Sequence, residues 1–184
     1  MFFNLFGKSS SGDLKGVTDI VYSTTPAKFQ ALTELLSSDA TIVLVVWFQD
    51  TYHQLRDFVQ QANQSAERVI LYRQVEAMHG NHRFVFAEHY PLHEKEAVVF
   101  EKLPHDGITV YSALDEPLFL YFGADKMKPM LAMLGLKTDE AISHKMVTQA
   151  IARGQEKIAG LVQNDFGAQH QAEWMNKHLP VQSS

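Results

Sequence analysis

The stretch "TIVLVVWF", residues 41–48, is apolar or β-branched throughout. A strand with one solvated face would alternate, so an unbroken run predicts a strand covered on both faces. Such a strand needs helices on either side of its sheet, and the flanking sequence supplies them. In "TTPAKFQALTELL" (24–36), Thr25 can cap a helix whose first position is Pro26, where the missing N–H costs nothing. Phe29, Leu32, Leu35 and Leu36 then recur at helical spacing. On the other side Asp50 can cap a helix striped by Leu55, Phe58, Val59 and Ala62.

Four more segments read as strands: "DIVYS" (19–23), "RVILYR" (68–73), "RFVFAEH" (83–89) and "GITVYSA" (107–113). A modest helix from Leu92 to Leu103 separates the last two. Strands parted by helices predict an α/β fold, a mainly parallel sheet flanked by helices. After Leu114 the pattern is helical only. Leu118 to Leu134 is apolar and Met-rich, with Pro129 interrupting it and Gly135 placed to stop it. Thr138 can cap the next segment, with Asp139 and Glu140 in its first turn. Val147, Ile151, Gly154, Ile158 and Leu161 make one face, and a last helix over about 169–179 carries Trp174 and Met175. The expected organisation is a mobile tail (1–16), an α/β core (17–137) and a helical C-terminal extension (138–184). Leu118, Leu120, Phe122, Met127, Met130, Leu131 and Leu134 are too apolar to leave in water, so the helices from Leu118 to Val162 should fold back on the core.

The opening "MFFNLFGKSSSGD" places its apolar residues before Lys8, the reverse of a secretory signal, and no run approaches the ~20 apolar residues of a membrane-spanning helix. A cytoplasmic protein is expected. A net charge of −5 argues against a nucleic-acid partner. The absence of cysteine excludes disulfides, cysteine nucleophiles and thiolate metal sites.

Catalytic signatures are incomplete. Gly7, Lys8 and Ser9 match the end of a phosphate-binding loop, but its first glycine position is Phe2 and no strand can feed the turn. The acidic pairs Asp115–Glu116 and Asp139–Glu140 read as first-turn helix acids. His79, His82, His89, His93 and His105, with Glu88 and Glu94 nearby, are the candidate metal ligands, yet their spacing supplies no third partner at fixed geometry. No Gly-x-Ser-x-Gly elbow is present. No catalytic residue, cofactor or metal is therefore expected.

"DIVYSTTPAKFQALTELL" followed by "TIVLVVWFQDTYHQLRDFV" resembles the opening of the second nucleotide-binding domain of SecA, the preprotein translocase ATPase. "ITVYSALDEPLFLYFGADKMKPMLAMLGLKTDEAISHKMVTQAIARGQEKI" (108–158) is similar to the end of that domain, and "QNDFGAQHQAEWMNKH" (163–178) to the start of SecA's long scaffold helix. The resemblance implies a RecA-like fold in reduced form, since the middle, 62–83, is shorter than the family's.

The departures from the family pattern bear on function. The family's first motor domain, with its phosphate loop, has no counterpart here. The second domain supplies an arginine-rich helix to the nucleotide, whereas Phe84 to Gly107 holds no arginine. Lysine and histidine cannot reproduce the bidentate fork of an arginine finger. The resemblance therefore implies a non-catalytic SecA-like module that binds a protein, SecA itself or another secretion component. The alternative is a remodelled RecA-like nucleotide binder or enzyme. The expected partner surface lies at the carboxyl ends of the strands, in loops 49–52, 74–82 and 88–92, with Tyr52, His79, His82, His89 and Tyr90 as its candidate residues.

Overall fold

All five residues of β2 (Ile42–Val46) are buried, as their unbroken apolar sequence requires. The computed structural model describes residues 16–103, 107–124, 137 and 140–180. Around β2 lie β1 (Val17–Tyr22), β3 (Val69–Leu71), β4 (Arg83–Phe86) and β5 (Ile108–Ala113). They form one sheet in the order β1-β5-β4-β2-β3, and every pairing is parallel. β3 is shorter than its apolar sequence suggests, because the chain turns into a 3-10 segment at Tyr72–Ala77. On the free side of β1, Val21 pairs with Ile142 in an antiparallel bridge, which covers part of that edge.

The helices divide between the two faces. On one, Phe29, Leu32 and Leu36 of α1 (Thr25–Ser38) and Leu55 and Val59 of α2 (Gln49–Gln61) pack on Leu44, Val46 and Val85. The other face is covered by α3 (His93–Phe100), α4 (Pro117–Tyr121), α5 (Lys145–Ala159) and α6 (Gln171–His178). There Phe100, Leu118, Ile151, Ile158, Trp174 and Met175 share one cluster with Val43, Val45, Phe86 and Val110. The C-terminal helices are thus built into the core of the sheet. Gly154 shows how closely: a Cβ there would sit 2.3 Å from the Phe122 ring.

The sheet order has a direct consequence for function. β1 and β2 feed helices on one face, while β4 and β5 feed the other. Since β1 lies beside β5 and β2 beside β4, neighbouring chains part in opposite directions at two places along the carboxyl edge. Parallel sheets form their binding crevices at such partings.

Several boundaries differ from expectation. Thr24, not Thr25, caps α1, its hydroxyl accepting from the Ala27 N–H. Phe48 occupies the cap position of α2, which puts Asp50 in the first turn. α5 begins at Lys145 with His144 as its cap, so Glu140 precedes the helix. Leu161 lies beyond the helix end and is 50% exposed, so it is not part of the buried stripe. The expected tail through Lys15, His105, Met127, Pro129, Met130, Leu131, Leu134, Gly135, Thr138 and Asp139 lie outside the described residues.

Candidate functional site

A cleft of about 640 Å³ opens at the carboxyl edge of the sheet, between the starts of α1 and α2 and the side of α6. Two helix N-termini converge there, and each is closed by a carboxylate from a distant strand. Asp115, just after β5, accepts from the Thr25 backbone N–H at 2.9 Å and from its hydroxyl at 2.8 Å. Glu88, just after β4, accepts with Oε1 from the N–H groups of Trp47 (2.8 Å) and Phe48 (2.9 Å). Its Oε2 accepts from the Thr51 hydroxyl at 2.6 Å. A helix start presents unpaired N–H groups and a positive dipole end, and so attracts anions. In this chain Asp115 takes the Thr25 N–H of α1, and Glu88 takes the Phe48 N–H at the cap of α2 and that of Trp47 just before it, while the Asp50 N–H donates to the Gln169 carbonyl. Burial pushes the Glu88 carboxyl up to about 7, against the opposing pull of the Lys28 charge and the Thr51 and Phe48 hydrogen bonds.

Lys28, on α1, is only 1% exposed. Its ammonium donates to Glu116 Oε1 and to the Ala87 carbonyl, both at 2.6 Å. Glu116 Oε1 also accepts from the Ala113 N–H at 2.9 Å. Glu116 Oε2 is buried and has no hydrogen-bond partner among the described residues. Burial raises the Glu116 carboxyl above its ordinary range, opposed chiefly by the Lys28 charge. Along the rim, Asp50 Oδ2 accepts from Gln54 at 2.8 Å and faces His170 at 3.3 Å, while Lys177 pairs with Glu173 at 2.5 Å. Gln171 pins α6 in place, accepting from the Leu118 N–H and donating to the His89 carbonyl.

Behind the cleft lies a second charged cluster, sealed from solvent. His89 Nε2 lies 2.8 Å from Asp19 Oδ1, and Nδ1 lies 2.9 Å from Glu96 Oε1. Glu96 also accepts from the Tyr90 N–H and from Gln155 of α5. Burial alone would lower the basicity of His89. The charge of Glu96 and the hydrogen bonds to Asp19 and Glu96 override it and raise the value to about 10. The ring is an imidazolium at neutral pH, donating from both nitrogens. Burial, the largest influence on Asp19, would raise its carboxyl, but the hydrogen bond and charge of His89 and a bond from Thr148 together hold it below the ordinary value.

The residues singled out by sequence fall in different places. Tyr52 is half-buried on α2, its hydroxyl accepting from Arg56, whose guanidinium lies 5.0 Å from the ring centroid. His79 is exposed, and His82 donates to its carbonyl. His82 immediately precedes β4, so this end of the 74–82 loop has crossed to the amino edge, opposite the cleft. A loop between parallel strands must run from one edge to the other. His89 and Tyr90 are 3% and 5% exposed and belong to the interior. Tyr90 stacks on Phe48 and donates to Asp165 at 2.7 Å. It also lines a smaller cleft of about 350 Å³ with Trp47, Arg73 and Lys95.

Sequence reasoning missed Lys28, Asp19 and Glu96, and took Glu116 for a first-turn helix acid, whereas it is the buried cap residue of α4. A signal existed for two of them. Lys28 is in register with Leu32 and Leu36, and Glu96 with Phe100, each on a stripe that is otherwise apolar.

Among the described residues no group of three or more His, Asp or Glu is arranged to hold a metal ion, and no helix is long and apolar enough to cross a membrane.

A five-stranded, all-parallel sheet with helices on both faces is an α/β architecture consistent with a RecA-like domain. No family model matches the chain. A stretch of about 50 residues is similar to the protein translocase subunit SecA of several bacteria. It is 46% identical over 48 residues to that of Anaplasma marginale, covering 26% of this chain and 6% of the relative. For Clostridium acetobutylicum the identity is 46% over 50 residues, or 27% of this chain and 6% of the relative. For Pseudomonas putida it is 40% over 50 residues, with the same shares. The match thus spans about 6% of the length of these curated relatives.

Proposed function

We propose that this chain is a non-catalytic SecA-like domain that serves preprotein translocation as an accessory, protein-binding module. The similarity to SecA supplies the context, since the relatives are named as translocase subunits. The observation that carries the non-catalytic reading is that Asp115 and Glu88 already accept from N–H groups at the starts of α1 and α2 on the carboxyl edge. A nucleotide phosphate would need those N–H groups and would meet carboxylates already bonded to them. Lys28, the cation best placed to meet a phosphate, spends two hydrogen bonds on Glu116 and Ala87.

The test has two arms. Calorimetry with Mg-ATP is expected to give no saturable binding, with no phosphate release above background. Capture of partners from the source cell, read by mass spectrometry, is expected to return SecA or another secretion component. A micromolar dissociation constant for Mg-ATP would overturn the reading in favour of a remodelled nucleotide-binding domain.

A further inference from the structure

The two ends of the sheet are covered unequally on the face that carries α1 and α2. Beneath those helices lie Leu44, Val46, Val69, Leu71 and Val85, all buried. Among the described residues none of β1 belongs to that cluster, and β5 contributes only the half-buried Tyr111. Alternate residues of a strand share a face, so β1 presents Thr18, Ile20 and Tyr22 here, and β5 presents Thr109 and Tyr111. Thr18 is exposed and the other four are half-buried. The rings of Tyr22 and Tyr111 stack, with centroids 6.2 Å apart and planes within 13°. The opposite face of the same two strands is better covered, since Asp19, Val21, Ile108 and Val110 are all buried. Parallel sheets are normally covered on both faces, so this open end lacks a layer.

The rim of the open end carries one charge of each sign. Burial raises the Tyr22 hydroxyl, with Tyr111 and the Glu34 charge adding to it, and burial raises Tyr111 against the pull of Arg83. Glu34 and Arg83 therefore lie within electrostatic reach of the ring pair, and both are exposed. Glu34 is held only by Gln30 of its own helix. The Arg83 charge also reaches Asp39, but its guanidinium has no hydrogen-bond or ion-pair partner among the described residues.

We propose that this face pairs with a second copy of the chain about a two-fold axis, Ile20, Tyr22 and Tyr111 of one copy meeting those of the other. A two-fold axis makes every contact twice, with the roles exchanged. Set between Glu34 and Arg83, it lays each copy's glutamate on the other's arginine, so a patch with one charge of each sign is complementary to itself. A patch with charges of one sign would repel its own copy. The pairing uses the face of the sheet and leaves its carboxyl edge free, and it does not rest on the protein-binding role above.

The experiment is sedimentation equilibrium of the full chain over a range of concentrations, at low and high salt. A reversible dimer is expected, and added salt should weaken it because the rim pairs are screened. Glu34→Arg and Arg83→Glu each turn two attractions into two repulsions, and each should raise the dissociation constant about tenfold. The two changes together restore opposite charges and should return it to within about threefold of the parent. Both positions are exposed, so thermal melting of the dilute monomer should be unchanged in all three variants. A monomer at every concentration, single reversals without effect, or a double variant that pairs no better than either single overturns the proposal. In the monomeric case hydroxyl-radical footprinting distinguishes the other occupants. Tyr22 and Tyr111 shielded in the free chain point to another segment of it, and both rings reactive point to a different protein.

Discussion

Two clusters of buried charge lie close together along the chain, and they differ in one respect. Around His89 every ring nitrogen and both carboxylates of Asp19 and Glu96 are matched, and each of the three residues is at most 3% exposed. Around Lys28 the ammonium is matched, but its partner Glu116 keeps one oxygen without a donor and borders an open cleft. Burial of charge is tolerated only when hydrogen bonds replace water. The first cluster meets that condition within the fold, so it acts as a fastener between β1, the loop after β4, and α3. Gln155 extends it to α5. The second meets it only in part, because Glu116 Oε2 is buried without a donor, so it should fasten the fold less strongly.

The largest effect should come from His89→Ala. It leaves Asp19 and Glu96 facing each other across a dry gap, and removing one partner of a buried ion pair costs about 3–5 kcal/mol. A shift in the urea midpoint corresponding to less than about 1 kcal/mol would show that the fastener carries little.

Glu116→Gln should cost less, about 1–3 kcal/mol. Lys28 keeps its bond to the Ala87 carbonyl, and the adjoining cleft admits water. Lys28→Met combined with Glu116→Gln should return close to the parent stability, because replacing both members of a buried pair removes the desolvation penalty. If the double variant is no better than the single, the pair is a fastener like the first cluster and the contrast fails.

Stability should also depend on pH, and through His89 first. The ring's value rises from 6.5 to about 10 on folding. Its contribution is therefore complete below pH 6.5 and is lost as pH rises through 10. Glu88 acts in the same direction: raised from 4.5 to about 7, it favours the folded state fully below 4.5 and loses that effect as pH rises through 7. Asp19 opposes them at the acid end, because its value is lowered from 3.8 and its contribution disappears as pH falls through the folded value. The melting temperature should peak in the mildly acidic range and decline steadily towards pH 10. In His89→Gln the decline above pH 7 should largely disappear. A flat or rising profile from pH 7 to 10 in the parent would contradict the charged ring.

The smallest effect belongs to Tyr90→Phe. It removes the bond to Asp165 while keeping the ring stacked on Phe48, at about 0.5–1.5 kcal/mol. A change of this kind, read by thermal melting, separates the packing role of Tyr90 from any contact with a partner.

The sequence by itself determined the elements and their layering. A continuous apolar run must be covered on both faces, and the 3.6-residue stripes around it must supply the cover, so the five strands and the α/β class follow from periodicity alone. The apolar content after Leu114 pointed to helices returning to the core; Leu118 does so and Phe122 packs against it, whereas Leu120 is 44% exposed. Local periodicity could not identify the carboxylates that join the starts of α1 and α2, because they stand far along the chain: Asp115 is 90 positions from Thr25 and Glu88 is 41 from Trp47. Those contacts exist only because strand order brings β5 beside β1 and β4 beside β2. The same order buried His89 and Tyr90, sent His82 to the far edge, and turned Glu116 inward to Lys28. A carboxylate or an imidazole has the same letter whether solvated or buried, and only tertiary structure, by removing water and choosing the partner, decides which of them is a fastener and which lines a site.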